Sequence, residues 1–127
     1  MFKRFAKAKA KKVPGAMNKI EAEYWLRLKR EERLGLIRDI GYQRITLKLG
    51  QDCRYTPDFD FVDADGVITL VEVKAGRKDK ATGAVKAFSM DDSTVKLKTA
   101  AAQFPQIRFL LAWAYKGVWD SKEIDGQ

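Results

Sequence analysis

Three residues able to bind metal or carry charge stand close together in the middle of the chain, beside runs of apolar residues. Asp58 follows Pro57, and Glu72 and Lys74 flank Val73 further along. Carboxylate oxygens are ligands that Mg²⁺ prefers, and side chains two residues apart in a strand point to the same face. The spacing therefore predicts a site in which Asp58 and Glu72 bind a hard divalent cation and Lys74 shares their face. The backbone carbonyl of Val73 is a further expected ligand.

The two apolar runs that carry these residues are separated by an Ala-Asp-Gly sequence ending at Gly66, which is typical of a hairpin loop. If Gly66 takes the left-handed position of a three-residue loop, Asp63 lies opposite Val67. Continuing the ladder then places Asp58 opposite Glu72, with Cβ atoms about 5 Å apart. A two-residue loop would shift the register by one residue and separate the acids.

A helix should precede this hairpin. Asn18 and Glu21 form a capping-box pattern at its start, and Gly35 is a stop signal after a helix that runs to about Leu34. The helical apolar pattern begins at Ile20.

The remaining elements follow from periodicity and breaks. Alternating apolar residues at 45–49 predict a strand before the hairpin, and Asp91, Asp92 and Ser93 offer caps for a helix to about Gln103. The apolar run at 107–113 predicts a last buried strand. Apolar residues on both faces of the hairpin indicate that it is covered above and below. The expected fold is α/β, a mixed four-stranded central sheet flanked by helices in the order αβββαβ.

Composition limits the chemistry that the chain can use. The 127 residues suit one domain, and they contain no histidine and a single cysteine, Cys53. These counts exclude catalytic triads that need histidine, His-Cys zinc sites and an internal disulfide, and they fit a reducing compartment. No apolar run reaches the roughly 18 residues needed to span a membrane, so we expect a cytoplasmic protein.

Basic residues outnumber acidic ones, 25 to 17, and the net charge of +8 favours a polyanionic partner such as nucleic acid. Residues 1–16 contain no acid and predict a flexible basic arm that either binds phosphates or is a solvated tail. A single domain at 17–119 and a polar C-terminal tail at 120–127 should follow. Met17 is an alternative start. The basic residues of the arm are Lys3, Arg4, Lys7, Lys9, Lys11 and Lys12.

The motifs YTPDF and LVEVKAG, with NKIEAEYWLRL before them and DDSTVKLKTAAAQFPQIRFLLAW after them, resemble the PD-(D/E)XK nuclease superfamily. The resemblance covers residues 17–113, about three quarters of the chain, and extends to small phage-encoded members such as Holliday-junction-resolvase-like endonucleases. It implies a restriction-endonuclease-like core and a Mg²⁺-dependent nuclease, with Mn²⁺ able to substitute. Asp58, Glu72 and Lys74 would be its catalytic residues, in host cytoplasm if the chain is phage-encoded.

The resemblance also implies a further catalytic acid on the first helix. Glu21 and Glu23 are roughly 200° apart around a helix, so only one can face the site, and Glu21 is the better match. The family often carries a lysine or glutamine on the second helix near the scissile phosphate. Candidates for this nucleic-acid-binding role are Lys96, Lys98 and Gln103.

Other side chains leave alternatives open. Asp60 shares the carboxylate face and could be a second metal ligand or the partner of a lysine. Trp113, Tyr115 and Trp119 are expected in the core or a dimer contact, with a base-stacking platform as the alternative. The segment 77–89 is longer than the family pattern gives between the motif and the second helix, and its role stays open.

The expected function is hydrolysis of DNA phosphodiester bonds by a metal-activated water, leaving a 5′-phosphate as the resemblance implies. So small a chain leaves little room for a sequence-reading domain, which favours branched DNA, such as a four-way junction in phage recombination. A two-fold junction in turn favours a homodimer. The alternatives are a catalytically silent nucleic-acid-binding module with the nuclease fold and a single-strand or DNA-end nuclease.

Overall fold

Eight strands and two helices occur in the part of the chain that the computed structural model describes, residues 16–88 and 92–125. Neither helix in these residues is long and apolar enough to cross a membrane. In chain order, the elements are α1 (Lys19–Arg33), β1 (Arg38–Tyr42), β2 (Leu47–Gly50), β3 (Cys53–Tyr55), β4 (Phe59–Val62), β5 (Ile68–Lys78), β6 (Val85–Ala87), α2 (Asp92–Gln103), β7 (Arg108–Tyr115) and β8 (Val118–Ile124).

The long strand β5 is the centre of a mixed sheet. The strand order is β1-β4-β5-β7-β8, and β6 pairs with the C-terminal part of β5. β5 and β7 are parallel, whereas the other neighbours in this sheet are antiparallel. β2 and β3 form a separate antiparallel hairpin. The chain is therefore an α/β protein with a mixed sheet flanked by helices.

Helix α1 begins with the predicted capping box. The N–H of Glu21 donates to the Asn18 side chain at 2.8 Å, and the N–H of Asn18 donates to Glu21 Oε1 at 3.0 Å. Such a cap contributes about 1 kcal/mol to stability. The helix ends at Arg33 with Leu34 as its C-cap, followed by Gly35 with φ +78°, a left-handed conformation that glycine adopts at little cost. The cap fixes where Glu21 lies at the start of the helix.

Both faces of the sheet are covered, as the apolar residues of the hairpin predict. Val71 of β5 belongs to the core under α1, and Leu70 belongs to the core under α2. Side chains alternate along a strand, so Val73 points with Val71 towards α1. By the same alternation Glu72 and Lys74 share the α2 side of the sheet with Leu70.

The main sheet has more strands than the expected order αβββαβ. The residues at 45–49 alternate as predicted, but strand β2 pairs with β3 and packs against the core under α2. The sheet edge beyond β4 is formed instead by β1. Its sequence, RDIGY, holds two charges and a glycine, and its pairing with β4 is interrupted by a register shift. A period-two pattern is therefore lacking, which explains why the sequence did not reveal this strand.

Strand β8 occupies most of the segment expected to be a polar tail at 120–127. It pairs antiparallel with β7 along its whole length, and its last residue, Ile124, is buried. Most of its other side chains are exposed. An edge strand is held by backbone hydrogen bonds, so a polar sequence can form one. The expected domain end at 119 is therefore wrong, because the sheet continues to Ile124.

Candidate active site

The hairpin of β4 and β5 has the register that the three-residue loop predicts. Gly66 has φ +80°, and the N–H of Asp63 donates to the carbonyl of Val67 at 3.0 Å. The ladder continues through Asp60 opposite Leu70 and ends with Phe59 opposite Val71. The next position on each strand is Asp58 and Glu72, so the two acids meet at the end of the hairpin.

Asp58 lies among acidic neighbours in a buried position. Asp58 is 9% exposed, and Glu21 and Glu72 are each 5% exposed. Burial, the charge of Glu72 and the proximity of Glu21 raise the pKa of Asp58 to about 7, although the N–H of Val73 opposes this shift. Glu21 is thus close to Asp58, so this acid of the first helix lies beside the other two, while its catalytic role stays a prediction. Its capping role and its place in the site are therefore compatible.

Two tyrosines hold the acids in position. Tyr42 Oη donates to Glu21 Oε1 at 2.8 Å, and Tyr55 Oη donates to Glu72 Oε1 at 2.6 Å. The other oxygen of Glu72, Oε2, is 3.5 Å from Lys74 Nζ. The Lys74 side chain is only 13% exposed, so this is a largely buried ion pair. The alternative interpretation of the motif, a Lys74–Glu72 ion pair on the surface at the sheet edge, would require exposed side chains, whereas these two are largely enclosed.

One edge of β5 has a short stretch without a paired strand in the described part of the chain. On this edge β4 pairs with β5 as far as Val71, and the next backbone bond is from the N–H of Phe88 to the carbonyl of Ala75, at 2.7 Å. In between, Asp58 Oδ2 accepts the N–H of Val73 at 2.8 Å. The N–H and C=O of one strand residue point to the same edge, so the Val73 carbonyl also points into this gap.

The oxygens at this edge suit a hard divalent cation. The carboxylates of Asp58 and Glu72 and the carbonyl of Val73 are all oxygen ligands of the kind that Mg²⁺ binds. The raised pKa of Asp58 means that negative charge is unfavourable there, and a bound cation would relieve it. Residues 16–88 and 92–125 contain no group of three Asp, Glu, Cys or His side chains that could hold a metal ion. The candidate donor set is accordingly two side chains and one backbone oxygen.

A surface cavity of about 550 Å³ adjoins Glu72. Arg54 of β3 and Lys96 of α2 contribute positive charge to its wall, and Tyr55 lines it as well. The cavity is therefore a suitable space for a phosphate group beside the acids. Lys96 is the second-helix candidate that this cavity brings next to Glu72. The full lining is Arg54, Tyr55, Thr56, Glu72, Asp92, Ser93 and Lys96.

The other second-helix candidates lie elsewhere. Lys98 is exposed and does not line the cavity beside Glu72. Gln103 is at the far end of α2, where its side-chain amide donates to the carbonyl of Leu49 at 2.9 Å and so ties the helix to β2. Their role in DNA binding stays a prediction. The arm residues Lys3, Arg4, Lys7, Lys9, Lys11 and Lys12 lie outside the described residues.

Asp60 pairs with an arginine and not with a lysine, and its alternative role as a metal ligand stays a prediction. Both of its carboxylate oxygens accept hydrogen bonds from Arg44, the shortest at 2.7 Å, so its negative charge is already paired. Trp113 belongs to the core under α2, and Trp119 packs on Tyr24 of α1 with ring centroids 5.2 Å apart. Trp113 is therefore a core residue, and Trp119 is partly buried against the core under α1, which fits the core alternative.

Sequence reasoning missed the two tyrosines. Tyr55 stands in the motif YTPDF, three residues before Asp58, and an aromatic hydroxyl so close to a candidate ligand could have marked it. Tyr42 belongs to β1, and no sequence pattern revealed that strand. A hydrogen bond between distant parts of the chain leaves no periodic signal.

Comparison with known proteins does not assign the chain to a family. No protein-family model matches the chain, and no curated protein matches it significantly. The resemblance to PD-(D/E)XK nucleases stays a prediction based on motifs and the order of elements. Any function proposed for the chain therefore depends on its own side chains, above all on Asp58, Glu72 and Lys74.

Proposed function

We propose that the chain is a Mg²⁺-dependent endodeoxyribonuclease. The observation that carries this proposal is the convergence of Asp58, Glu72 and Lys74 at one buried edge of the sheet, beside a cavity whose wall includes Arg54 and Lys96. Buried acids are costly, and a protein that only binds nucleic acid gains nothing from them. A hydrolase that needs a cation beside a phosphate does gain from them.

Asp58, Glu72 and the Val73 carbonyl would hold the Mg²⁺, which when bound would supply a polarised phosphoryl group and a water of lowered pKa. Tyr55 orients Glu72 by occupying Oε1, which leaves Oε2 facing Lys74. Asp58 must be ionised to act as a ligand, and its pKa of about 7 sets this requirement near neutral pH. Metal binding is therefore expected to release a proton.

Lys74 is suited to act on the reacting water or phosphate. Its ammonium group is on the same side of β5 as Glu72 and is mostly shielded from solvent. In such an environment a fixed positive charge stabilises the charge that develops on a phosphate during attack. Lys96 and Arg54, across the cavity, are placed to bind the phosphate oxygens of the same or the neighbouring nucleotide.

DNA is the proposed substrate because the net charge of +8 favours a polyanion. Branched DNA, in particular a four-way junction in phage recombination, is the proposed preferred form, with a homodimer cutting two symmetric strands. A single-strand or DNA-end nuclease and a silent binding module are the competing functions that the experiment must separate.

The test incubates the purified protein with labelled four-way junction, flap, duplex and single-stranded DNA, in Mg²⁺, Mn²⁺ or EDTA. We expect cleavage of at least one substrate in either metal and none in EDTA. Glu72→Gln and Lys74→Met should each lower the rate by about 10²-fold or more, since each removes a group acting at the reacting centre.

The matched control is Glu32→Gln, which removes an acid paired with Lys29 on the surface of α1. This variant should cleave at the wild-type rate. Cleavage that persists in EDTA or in Glu72→Gln would reject the mechanism. Binding without cleavage in either metal would favour the silent module, and cleavage confined to single strands or ends would replace the branched substrate.

A further inference from the structure

The C-terminal half of β5 continues past the acids and returns as β6. We call residues 76–88, which include the end of β5, the turn and β6, the wing. Its four cations, Arg77, Lys78, Lys80 and Lys86, are all exposed and line a cavity of about 460 Å³. The wing covers most of the segment 77–89, whose length exceeds the family pattern. Its exposed positive charge therefore suggests a function in binding an anionic partner.

The positive charge of the wing is not neutralised by the rest of the described chain. None of its four cations forms an ion pair with any residue in 16–88 or 92–125. The one acid, Asp79, has a structural task, because its carboxylate accepts the N–H of Ala81 at 2.8 Å within the turn. Like charges so close together repel unless a polyanion binds them.

The wing is an ordered part of the sheet. Its turn is closed by hydrogen bonds from Asp79 to Ala84 and from Gly83 to Asp79, both 2.8 Å long. At its base, a Cβ on Gly76 would lie only 2.8 Å from the carbonyl oxygen of Ala114 in β7, so β5 passes β7 very closely there. The backbone that carries the four cations therefore has a fixed position relative to the acids.

The wing also continues directly from the candidate site. Lys74 and Lys78 lie on one strand, four residues apart, and a strand rises about 3.3 Å per residue, which gives about 13 Å between them. A DNA strand rises about 3.4 Å per nucleotide along its axis, so this distance spans about four nucleotides. Lys78 shares the face of Lys74, whereas Lys86 and Phe88 lie on the opposite face of this hairpin by the strand register. A strand that has its scissile phosphate beside Lys74 would therefore reach Lys78 directly and the other face across the unpaired edge of β5.

An aromatic ring lies at the end of the wing nearest the site. Phe88 is 42% exposed, and the guanidinium of Arg77 lies over its ring, 5.0 Å from the centroid. The backbone N–H of Phe88 donates a hydrogen bond to the carbonyl of Ala75, the residue after Lys74. Aromatic rings and arginine planes together form the stacking surfaces that bind bases of single strands. A base within a duplex has no free face for such stacking.

We propose that the wing is a DNA-binding surface that holds the strand leaving the acid site, by contacts of its cations with phosphates and by stacking of an unpaired base on Phe88. This inference rests on the proposed nuclease function and narrows its substrate to DNA with an unpaired segment next to the cut. The branch point of a junction or flap provides such a segment.

The first test reverses charge on the wing. Lys80→Glu/Lys86→Glu is compared with Arg33→Glu/Lys122→Glu, which makes the same change of net charge at exposed positions on α1 and β8. Binding of a labelled four-way junction is measured in EDTA at several salt concentrations. The wing variant should bind about 10-fold or more weakly, and its slope of log K against log salt should fall by about 1.8, because two phosphates are no longer neutralised.

The control pair should bind within about threefold of the wild-type protein and keep its salt slope. Thermal unfolding of both variants near the wild-type midpoint ensures that a loss of affinity is not a loss of folding. An equal loss of affinity in the two double variants would overturn the proposal that the wing binds DNA, because only the net charge of the protein would then matter.

The second test concerns Phe88. Phe88→Ala should weaken binding of a single strand and of a flap by about 5- to 20-fold, while binding of a fully paired duplex changes less than twofold. Phe88→Tyr, which keeps the ring, should bind all three like the wild-type protein. An equal loss of affinity for the three DNAs in Phe88→Ala would contradict stacking on an unpaired base.

The failures of the two proposals are distinguishable. If the wild-type protein cleaves DNA and the wing variants bind and cleave like it, the wing proposal is wrong and the nuclease function stands. If the wing variants lose affinity while no DNA is cut in either metal, the wing proposal stands as a binding surface and the nuclease function is wrong.

Discussion

The buried carboxyl of Asp58 is a group of the candidate site whose charged form lowers the stability of the fold. Its carboxyl is buried between Glu72 and Glu21, and only the N–H of Val73 favours its charged form among the causes that shift its pKa. Natural proteins retain such unfavourable groups where an activity requires them. A site built for a cation is expected to be strained by its own charges until the cation binds.

The pKa of Asp58 predicts a specific dependence of stability on pH. Its folded value of about 7 lies above the ordinary value of 3.8, so the folded state binds the proton more tightly than the unfolded state. The tighter binding of this proton therefore adds to the free energy of unfolding. This contribution is fully present below about pH 4 and is lost as pH rises to about 7, by at most about 1.4 kcal/mol per pH unit. In EDTA, Asp58→Asn should stabilise the protein, and more at pH 8 than at pH 5.

The measurement is chemical denaturation of both proteins at pH 5, 6, 7 and 8. Asp63→Asn is the contrasting control, because backbone N–H groups of Val67 and Asp65 and the charge of Arg108 lower the pKa of Asp63. Stability from Asp63 is present at neutral pH and is lost as pH falls through its folded pKa, so this variant should be less stable than the wild-type protein at pH 7. A stability difference for Asp58→Asn that does not change with pH would disprove its raised pKa.

Residue types and spacing predicted the acids and the lysine but not their partners. Asp58, Glu72 and Lys74 were found because the alternation of a strand and the length of one loop fix their relation. Tyr42 and Arg44, by contrast, reach Glu21 and Asp60 from a part of the chain that no pattern connects to them. Tertiary contacts between distant segments determine such pairs.

At the scale of elements, the sequence predicted the helices and strands that have strong local patterns, and it did not predict the edge strands. The capping box of α1, the loop of the central hairpin and the last buried strand all have marked local patterns, and each occurs close to its predicted position. The edge strands β1 and β8 and the short β6 carry charged or small residues. Their stability comes from pairing with a neighbour that is already formed, which a pattern within the strand cannot show.

The close passage of β5 and β7 at Gly76 predicts a requirement for glycine. A Cβ at this position would lie 2.8 Å from the backbone oxygen of Ala114 and 2.9 Å from Tyr115 Cβ, so Gly76→Ala must displace the strand. We expect a loss of about 1–3 kcal/mol in the free energy of unfolding. The affinity for single-stranded DNA should fall as well, because the wing moves with the strand, although no charge is altered.

Gly50→Ala is the matched control. A Cβ on Gly50 meets no atom within 4 Å, and the backbone there does not have positive φ. The substitution should leave stability unchanged or raise it slightly, by about 0.4–1 kcal/mol. Equal stability of Gly76→Ala and Gly50→Ala in thermal and urea unfolding would show that β5 and β7 have room for a side chain at Gly76.

At the scale of the whole molecule, positive charge follows the candidate site. The wing lies on one side of the acids, and Arg54 and Lys96 lie beside Glu72 in the neighbouring cavity. The six basic residues of the segment 1–16 add a third group of cations in sequence. Sequence composition predicted an affinity for polyanions, but only the fold assigns much of that charge to the surroundings of one site.

The basic arm should contribute to affinity without contributing to chemistry. Removal of residues 1–16 deletes six cations and should weaken binding of junction DNA and flatten its salt dependence, by up to about 0.9 in slope for each phosphate that the arm neutralises. Single-turnover cleavage at saturating protein should keep the wild-type rate. An unchanged salt slope in filter-binding titrations would reject the arm as a DNA clamp.

The continuity of β5 restricts how this chain can diverge in length. One uninterrupted strand carries Glu72, Val73 and Lys74 and then the base of the wing, and it pairs with three other strands. Loss or gain of a single residue between Glu72 and Gly76 would turn every later side chain to the opposite face. The turn at 79–84 is exposed, so we expect it to accept such changes more readily. Homologous sequences should therefore vary in length at the turn between β5 and β6 and keep the same number of residues between Glu72 and Gly76.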